Sequence, residues 1–175
     1  MTAKKHSENA FEAAIVASLV ANGGLVEGDP ASFDIEKALF VGDVLAFIHG
    51  TQADKVEKLR AKVPGDFDAE VIGWLCKELK QRGSLEVLRH GFKFYGRTLR
   101  VAQFKPAFGL NPRVAADYDA NIVKVTRQVH FDPNKPHDSL DLVLSINGIP
   151  VATAELKTPT TGQGVAHAEW QYKRD

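Results

Sequence analysis

Residues 140–157 read LDLVLSINGIPVATAELK, two alternating runs around Asn147-Gly148. That dipeptide is the strongest short-range hairpin signal a sequence carries. In the first run Leu140, Leu142, Leu144 and Ile146 are apolar, and Asp141, Val143 and Ser145 fall between them. In the second, Ala152, Ala154 and Leu156 are apolar against Thr153, Glu155 and Lys157. Each strand therefore has an apolar face, and the pairing offset decides whether the two faces coincide. A two-residue turn alone pairs Ile146 with Ile149 and hence Asp141 with Ala154, which mixes the faces. One extra residue, in a three-residue loop with Gly148 left-handed or as a bulge in either strand, puts even beside even. Asp141, Glu155 and Lys157 then share a face. The hydrophobic pattern thus demands a bulged or three-residue connection, independently of any chemistry.

Two carboxylates and an ammonium on one face suit metal-assisted phosphodiester hydrolysis. Magnesium is typically held by one or two carboxylates, waters and substrate phosphate. Asp141 and Glu155 are the expected ligands, with the Leu156 carbonyl a third, and Lys157 would position water or offset phosphate charge. Pattern alone leaves open an exposed polar face of an edge hairpin. Glu-x-Lys is a weak signal by itself, and Glu78-Leu79-Lys80 repeats it on an amphipathic helix, where second neighbours do not face each other.

Upstream the texture is helical. Ser7 is expected to cap a helix in which Phe11, Ile15 and Leu19 recur every fourth residue, ended by Asn22-Gly23-Gly24. Glu8 and Glu12 then lie one turn apart. Asp34 is expected to cap a second helix, Gly42 to Ile48 and Ala53 to Val63 to form further pieces around a break at His49-Gly50-Thr51, and Phe67 to Arg82 an amphipathic helix closed by Gly83. Beyond Gly83, Phe92 to Tyr95, Leu99 to Phe104 and Ile122 to Phe131 read as strands.

The 175 residues are 44% hydrophobic, enough for one core, and residues 1–175 are expected to form a single domain. Lysine plus arginine equals aspartate plus glutamate at 22 each, so bulk charge neither favours nor excludes nucleic acid. Locally, Lys77 to Lys105 holds eight Lys or Arg against only Glu78 and Glu86, a phosphate-binding surface or simply a solvated one. The one cysteine, Cys76, reads as a small core residue in a reducing, cytoplasmic setting. Glu12 interrupts the apolar run after Lys4-Lys5, so neither a signal peptide nor a membrane span is expected. His130, His137 and His167 lack metal-ligand spacing, and His137-Asp138 reads as a turn pair.

The Asp, then Glu-x-Lys arrangement across a hairpin resembles the PD-(D/E)xK nuclease superfamily. Over nearly the whole chain the wording is similar to the restriction (HsdR) subunit of type I restriction systems: Phe11-Glu12, Gly23-Gly24, Phe47-Ile48 with Thr51-Gln52, Arg89-His90-Gly91-Phe92, Asn121 with Arg127-Gln128, the hairpin itself, and Gln171-Tyr172-Lys173-Arg174-Asp175. The resemblance implies an α/β (α+β) fold with a restriction-endonuclease-like core, a central mixed β-sheet flanked by helices and a helical N-terminal half. It implies Mg2+ held by Asp141 and Glu155, Lys157 as catalytic lysine, Gln171 as motif glutamine, and Glu12, or else Glu8, completing the metal site. Double-stranded DNA and the methyltransferase and specificity subunits are the implied partners.

Two departures qualify it. Asp175 stands where many relatives have tyrosine, and Tyr172 follows the glutamine at once. No G-x-x-x-x-G-K-[ST] phosphate loop is present, so ATP is expected only in a full-length subunit, and the chain reads as a nuclease domain truncated within a helix starting near Gln163. A catalytically silent docking module of the same subunit and a free-standing repair nuclease of the superfamily are the competing readings.

Overall fold

A computed structural model describes the backbone of residues 2–108 and 111–156 and the side chains from residue 9 onward within those ranges. Helix α1, Thr2–Gly23, is followed by strand β1, Val26–Gly28, and a 3-10 turn at Pro30–Ser32. Helices α2 (Val41–Thr51), α3 (Ala53–Arg60), α4 (Phe67–Arg82) and α5 (Ser84–His90) make up the helical half. Strands β2 (Phe92–Phe94) and β3 (Arg97–Leu99) form a small hairpin, and helix α6 spans Pro112–Asp119. Strands β4 (Val123–His130), β5 (Ser139–Ile146) and β6 (Ile149–Ala154) complete a four-stranded sheet of order β1-β4-β5-β6, in which β1 runs parallel to β4 and the remaining pairs are antiparallel. The fold is mixed α/β with a mixed sheet, consistent with the expected restriction-endonuclease-like core.

The sheet residues pack into two apolar clusters. Val125, Leu142, Leu144, Ala154 and Leu156 pack with Ile15, Val16 and Leu19 of α1. Leu140, Val129 and Val143 pack with Phe33 and Phe40, the latter entering α2. The largest apolar cluster lies in the helical half, around Ile48, Leu59, Val71, Leu75, Val87, Phe94 and Leu99, and reaches the sheet through Ile149. Cys76 packs against this cluster, and burial pushes its thiol above the usual range.

Several local expectations are corrected. Helix α1 begins at Thr2, so Ser7 lies within it and not at its start. Phe11 is 44% exposed, whereas Glu12 and Val16, four residues apart, are buried. Asp34 starts no helix: it exchanges both backbone hydrogen bonds with Leu39 across a tight turn, and its carboxylate accepts from the Lys37 ammonium and backbone N–H. The Lys37 side-chain hydrogen bond holds that carboxyl below its ordinary value. Helix α2 runs through His49-Gly50 and breaks at Gln52, whose side chain binds both the N–H and the carbonyl of Arg100. Within Leu99 to Phe104 the ladder keeps only Leu99.

Candidate active site

The hairpin of β5 and β6 sets the geometry. Asn147 and Gly148 both have positive φ, 47° and 81°, and Ile146 pairs with Ile149 across a two-residue turn. The register then shifts. Ser145 pairs with Pro150 but Leu144 pairs with Ala152, so Val151 is the extra residue of a β-bulge. Beyond it Val143 pairs with Thr153 and Leu142 with Ala154, which makes Glu155 the next residue opposite Asp141. This is the offset the apolar alternation demanded, produced by a bulge rather than by a longer loop.

The turn itself is buried, because it is also a joint between the sheet and the helical half. Asn147 is 1% exposed; its side-chain amide donates to the Val101 carbonyl at 2.8 Å and to Asn121 Oδ1 at 2.9 Å, and its Oδ1 accepts from the Ile122 N–H at 2.6 Å. The Gly148 carbonyl accepts from the Phe40 N–H at 2.9 Å, directly before α2. A Cβ on Gly148 would overlap the Phe40 carbonyl oxygen, so no larger residue fits without displacing one of the two. Sheet and helical half are locked together at this end of β5.

Asp141 lies toward the opposite end of β5 from that joint, where β6 leaves the ladder after Ala154. Its Oδ2 accepts from the backbone N–H of Leu156 at 2.6 Å, taking up a donor that the ending ladder leaves over. The Asp141 carboxylate is thereby held against the peptide that links Glu155 to Leu156. From the other side comes α1: Glu12 is only 5% exposed, and its Oε1 accepts from Gln128 Nε2 at 2.6 Å. The same Nε2 lies 3.4 Å from Asp141 Oδ1, and Gln128 Oε1 accepts from the Ser139 hydroxyl at 2.8 Å. Gln128 has φ 51°, and the β4·β5 ladder pairs Arg127 with Leu142 and Val129 with Leu140 but skips the position between.

Of the residues expected at the site, Asp141 and Glu12 are therefore brought to one amide, and Glu155 falls opposite Asp141 in the register. Lys157, Gln171, Tyr172 and His167, and the helix expected near Gln163, lie outside the described residues, as does the side chain of Glu8. Among the described residues no three His, Cys, Asp or Glu side chains are grouped as a ready-made metal cage. What they offer is a buried carboxylate on α1 and a second one on β5, joined by an amide. That donor set fits a magnesium ion, which commonly takes only one or two protein carboxylates and fills its remaining positions with water and phosphate oxygens.

The tempting alternatives are accounted for otherwise. Glu78 pairs with Arg82 one turn on at 2.9 Å, and His130 Nδ1 lies 3.1 Å from the Asp138 carbonyl. Sequence reasoning did not single out Gln128 as a member of this cluster. The sequence carried it only as part of the shared Arg127-Gln128 wording, and a left-handed glutamine inside a strand lacks the signature that glycine, asparagine or aspartate would give.

The family model for the type I restriction enzyme R protein N terminus matches residues 79–175. The chain belongs to that family. No curated protein and no solved structure matches it. Membership of the R protein N terminus family identifies the chain with the N-terminal region of the restriction subunit, and the match takes in β4, β5 and β6 together with the Glu155-x-Lys157 segment. Among the described residues of this R protein region no helix is long and apolar enough to cross a membrane.

Proposed function

We propose that the chain is a single nuclease domain that hydrolyses DNA phosphodiester bonds with Mg2+, cutting double-stranded DNA as part of a restriction complex with methyltransferase and specificity subunits. The observation that carries this reading is the bulge at Val151, which sets Glu155 opposite Asp141 while the Glu155–Leu156 peptide is hydrogen-bonded to the Asp141 carboxylate. Asp141 and Glu155 would hold the cation, with Glu12 contributing from α1. When bound, the cation would polarise the scissile phosphate and lower the pKa of a water molecule. One Asp141 oxygen accepts from the Leu156 N–H and the other lies toward the Gln128 amide, so the carboxylate is oriented before a cation arrives. Lys157, two residues after Glu155, would orient the attacking water or offset charge on the phosphate, and Gln171 would help arrange the site or the DNA.

The experiment is plasmid cleavage by the assembled restriction complex carrying Asp141→Ala, Glu155→Ala or Lys157→Ala. Loss of cleavage by a factor of at least about a hundred in each, with DNA recognition intact, is the expected outcome. Cleavage near the wild-type rate in Asp141→Ala or Lys157→Ala would remove the nuclease reading. The apolar groove along Leu85, Leu88, Phe104, Tyr118, Ile146 and Val151, with a volume of about 710 Å³, favours the second reading, a docking module seated on the methyltransferase core. In that case Leu85→Asp would abolish assembly, whereas the Asp141 variants would cut normally.

A further inference from the structure

Gln128 breaks a rule of its strand, and the break coincides with the carboxylates. A non-glycine residue in the left-handed region costs on the order of 1 kcal/mol or more and persists only where its surroundings hold it. Here the holding contacts are three: the amide nitrogen to Glu12 Oε1 at 2.6 Å, the same nitrogen toward Asp141 Oδ1 at 3.4 Å, and the amide oxygen from the Ser139 hydroxyl at 2.8 Å. Ser139 thus turns the amide so that its donor end, and not its carbonyl, faces the acidic pair. A carboxylate that is only 5% exposed, as at Glu12, is costly to keep ionised without a donor or a counter-charge. The Gln128 NH2 group supplies hydrogen-bond donors where a divalent cation would supply charge.

We propose that Gln128 is a place-holder for the cation: its amide occupies the position between Glu12 and Asp141 in the metal-free protein and is displaced when a divalent ion binds. The inference rests on the reading of Glu12 and Asp141 as metal ligands and adds a residue to that site. Gln128 is a positioning residue in this account. It keeps two like-charged carboxylates converged before the ion arrives and competes with the ion for the same oxygens. Because the Ser139 hydroxyl can accept as well as donate, it can retain the amide after displacement, with the Gln128 NH2 group turned toward it.

The test is Mn2+ and Mg2+ affinity of the 175-residue chain, by calorimetry, together with the rise in melting temperature on adding Mn2+. Removing a competitor tightens binding, so Gln128→Ala is expected to lower the Mn2+ dissociation constant on the order of threefold to tenfold, a charged-group hydrogen bond being partly replaced by water. Its metal-free form melts lower than wild type, and its gain in melting temperature on saturation with Mn2+ is larger. Ser139→Ala, which frees the amide while leaving it in place, shifts both quantities in the same direction by less, and it serves if Gln128→Ala does not fold. Unchanged or weaker Mn2+ binding in these variants, with wild type binding normally, overturns the place-holder role alone. Absence of Mn2+ binding to wild type overturns the metal site and the place-holder with it.

Discussion

The Asp141 carboxylate caps the end of the β5·β6 ladder by accepting from the Leu156 N–H at 2.6 Å, so one side chain completes the backbone pairing and also faces Glu12 through Gln128. The two duties separate by substitution. Asparagine keeps an oxygen that can accept from Leu156 but carries no charge, whereas alanine loses both. Asp141→Asn is therefore expected to unfold in urea within about 1 kcal/mol of wild type, and Asp141→Ala to lose about 1–3 kcal/mol through the unsatisfied N–H. Both lose divalent-cation affinity by at least about tenfold, read by calorimetry. Equal affinity in Asp141→Asn and wild type would restrict Asp141 to its structural duty.

Gly148→Ala tests the joint between sheet and helical half. The added methyl would overlap the Phe40 carbonyl oxygen and meet the Val44 N–H at 2.9 Å, with φ at 81°. Gly96, at φ 77° in the β2·β3 turn, has nothing within 4 Å of where a Cβ would stand and provides the control. Gly96→Ala is expected to cost about 1–2 kcal/mol for backbone strain alone, and Gly148→Ala well above that, about 3 kcal/mol or more, by urea denaturation. Equal losses would mean that the turn does not bear on α2.

Much of this site was legible because apolar alternation is a strong constraint. Leu142, Leu144, Ala154 and Leu156 had to reach one layer, and only a one-residue offset allowed it. The constraint could not say where the extra residue sits, since a loop and a bulge satisfy it equally. Nor could it show that the Asn147 side chain would be spent on Val101 and Ile122, 46 and 25 residues away, because such contacts follow from packing of distant segments. The same limit applies to β1, three residues whose strand character comes from pairing with β4, and whose Gly28 lets the Thr126 hydroxyl occupy the space a Cβ would need. On α1 the spacing of Phe11, Ile15 and Leu19 indicated a helix correctly and put Ile15 and Leu19 on its packed side, but Phe11 is exposed and the buried row runs from Val16 to Glu12 instead. An acidic residue in the buried row is a cost to folding that a pattern of apolar residues does not register.

The basic run from Lys77 to Lys105 folds onto the surface: all eight of its Lys and Arg residues are exposed, and among the described residues only Arg82 pairs with a carboxylate, Glu78 at 2.9 Å. Lys93 and Arg97 stand on the β2·β3 hairpin beside Tyr95, which is 37% exposed and has its ring 5.9 Å from that of Trp74. If duplex DNA crosses this face, binding must weaken steeply with salt, and each phosphate contact removed lowers the slope of log K against log salt by about 0.9. The double change Lys93→Ala with Arg97→Ala is expected to reduce the slope by about 2, measured by fluorescence anisotropy on a duplex of arbitrary sequence. An unchanged slope would leave the run as a solvated surface.

Deletion of Val151 separates the bulge from the pairing that it permits. Val151 is the unpaired residue, so without it Ser145 still pairs with Pro150, Leu144 with Ala152, Val143 with Thr153 and Leu142 with Ala154, now in an unbroken two-residue hairpin. Ala152, Ala154 and Leu156 keep the face they share with Leu142 and Leu144, and Glu155 stays opposite Asp141. Val151 is itself 43% exposed, so little apolar burial goes with it. What the deletion does remove is the extra local twist that a bulge gives its strand. The variant is therefore expected to lose no more than about 1 kcal/mol in urea denaturation and to bind Mn2+ within about threefold of the parent. Hydrogen exchange at the Leu156 amide reads the geometry directly, because its protection depends on the bond to Asp141. A fast Leu156 amide together with lost Mn2+ affinity in a folded deletion variant would show that the twist at the bulge, and not the choice of partners alone, brings Glu155 to Asp141.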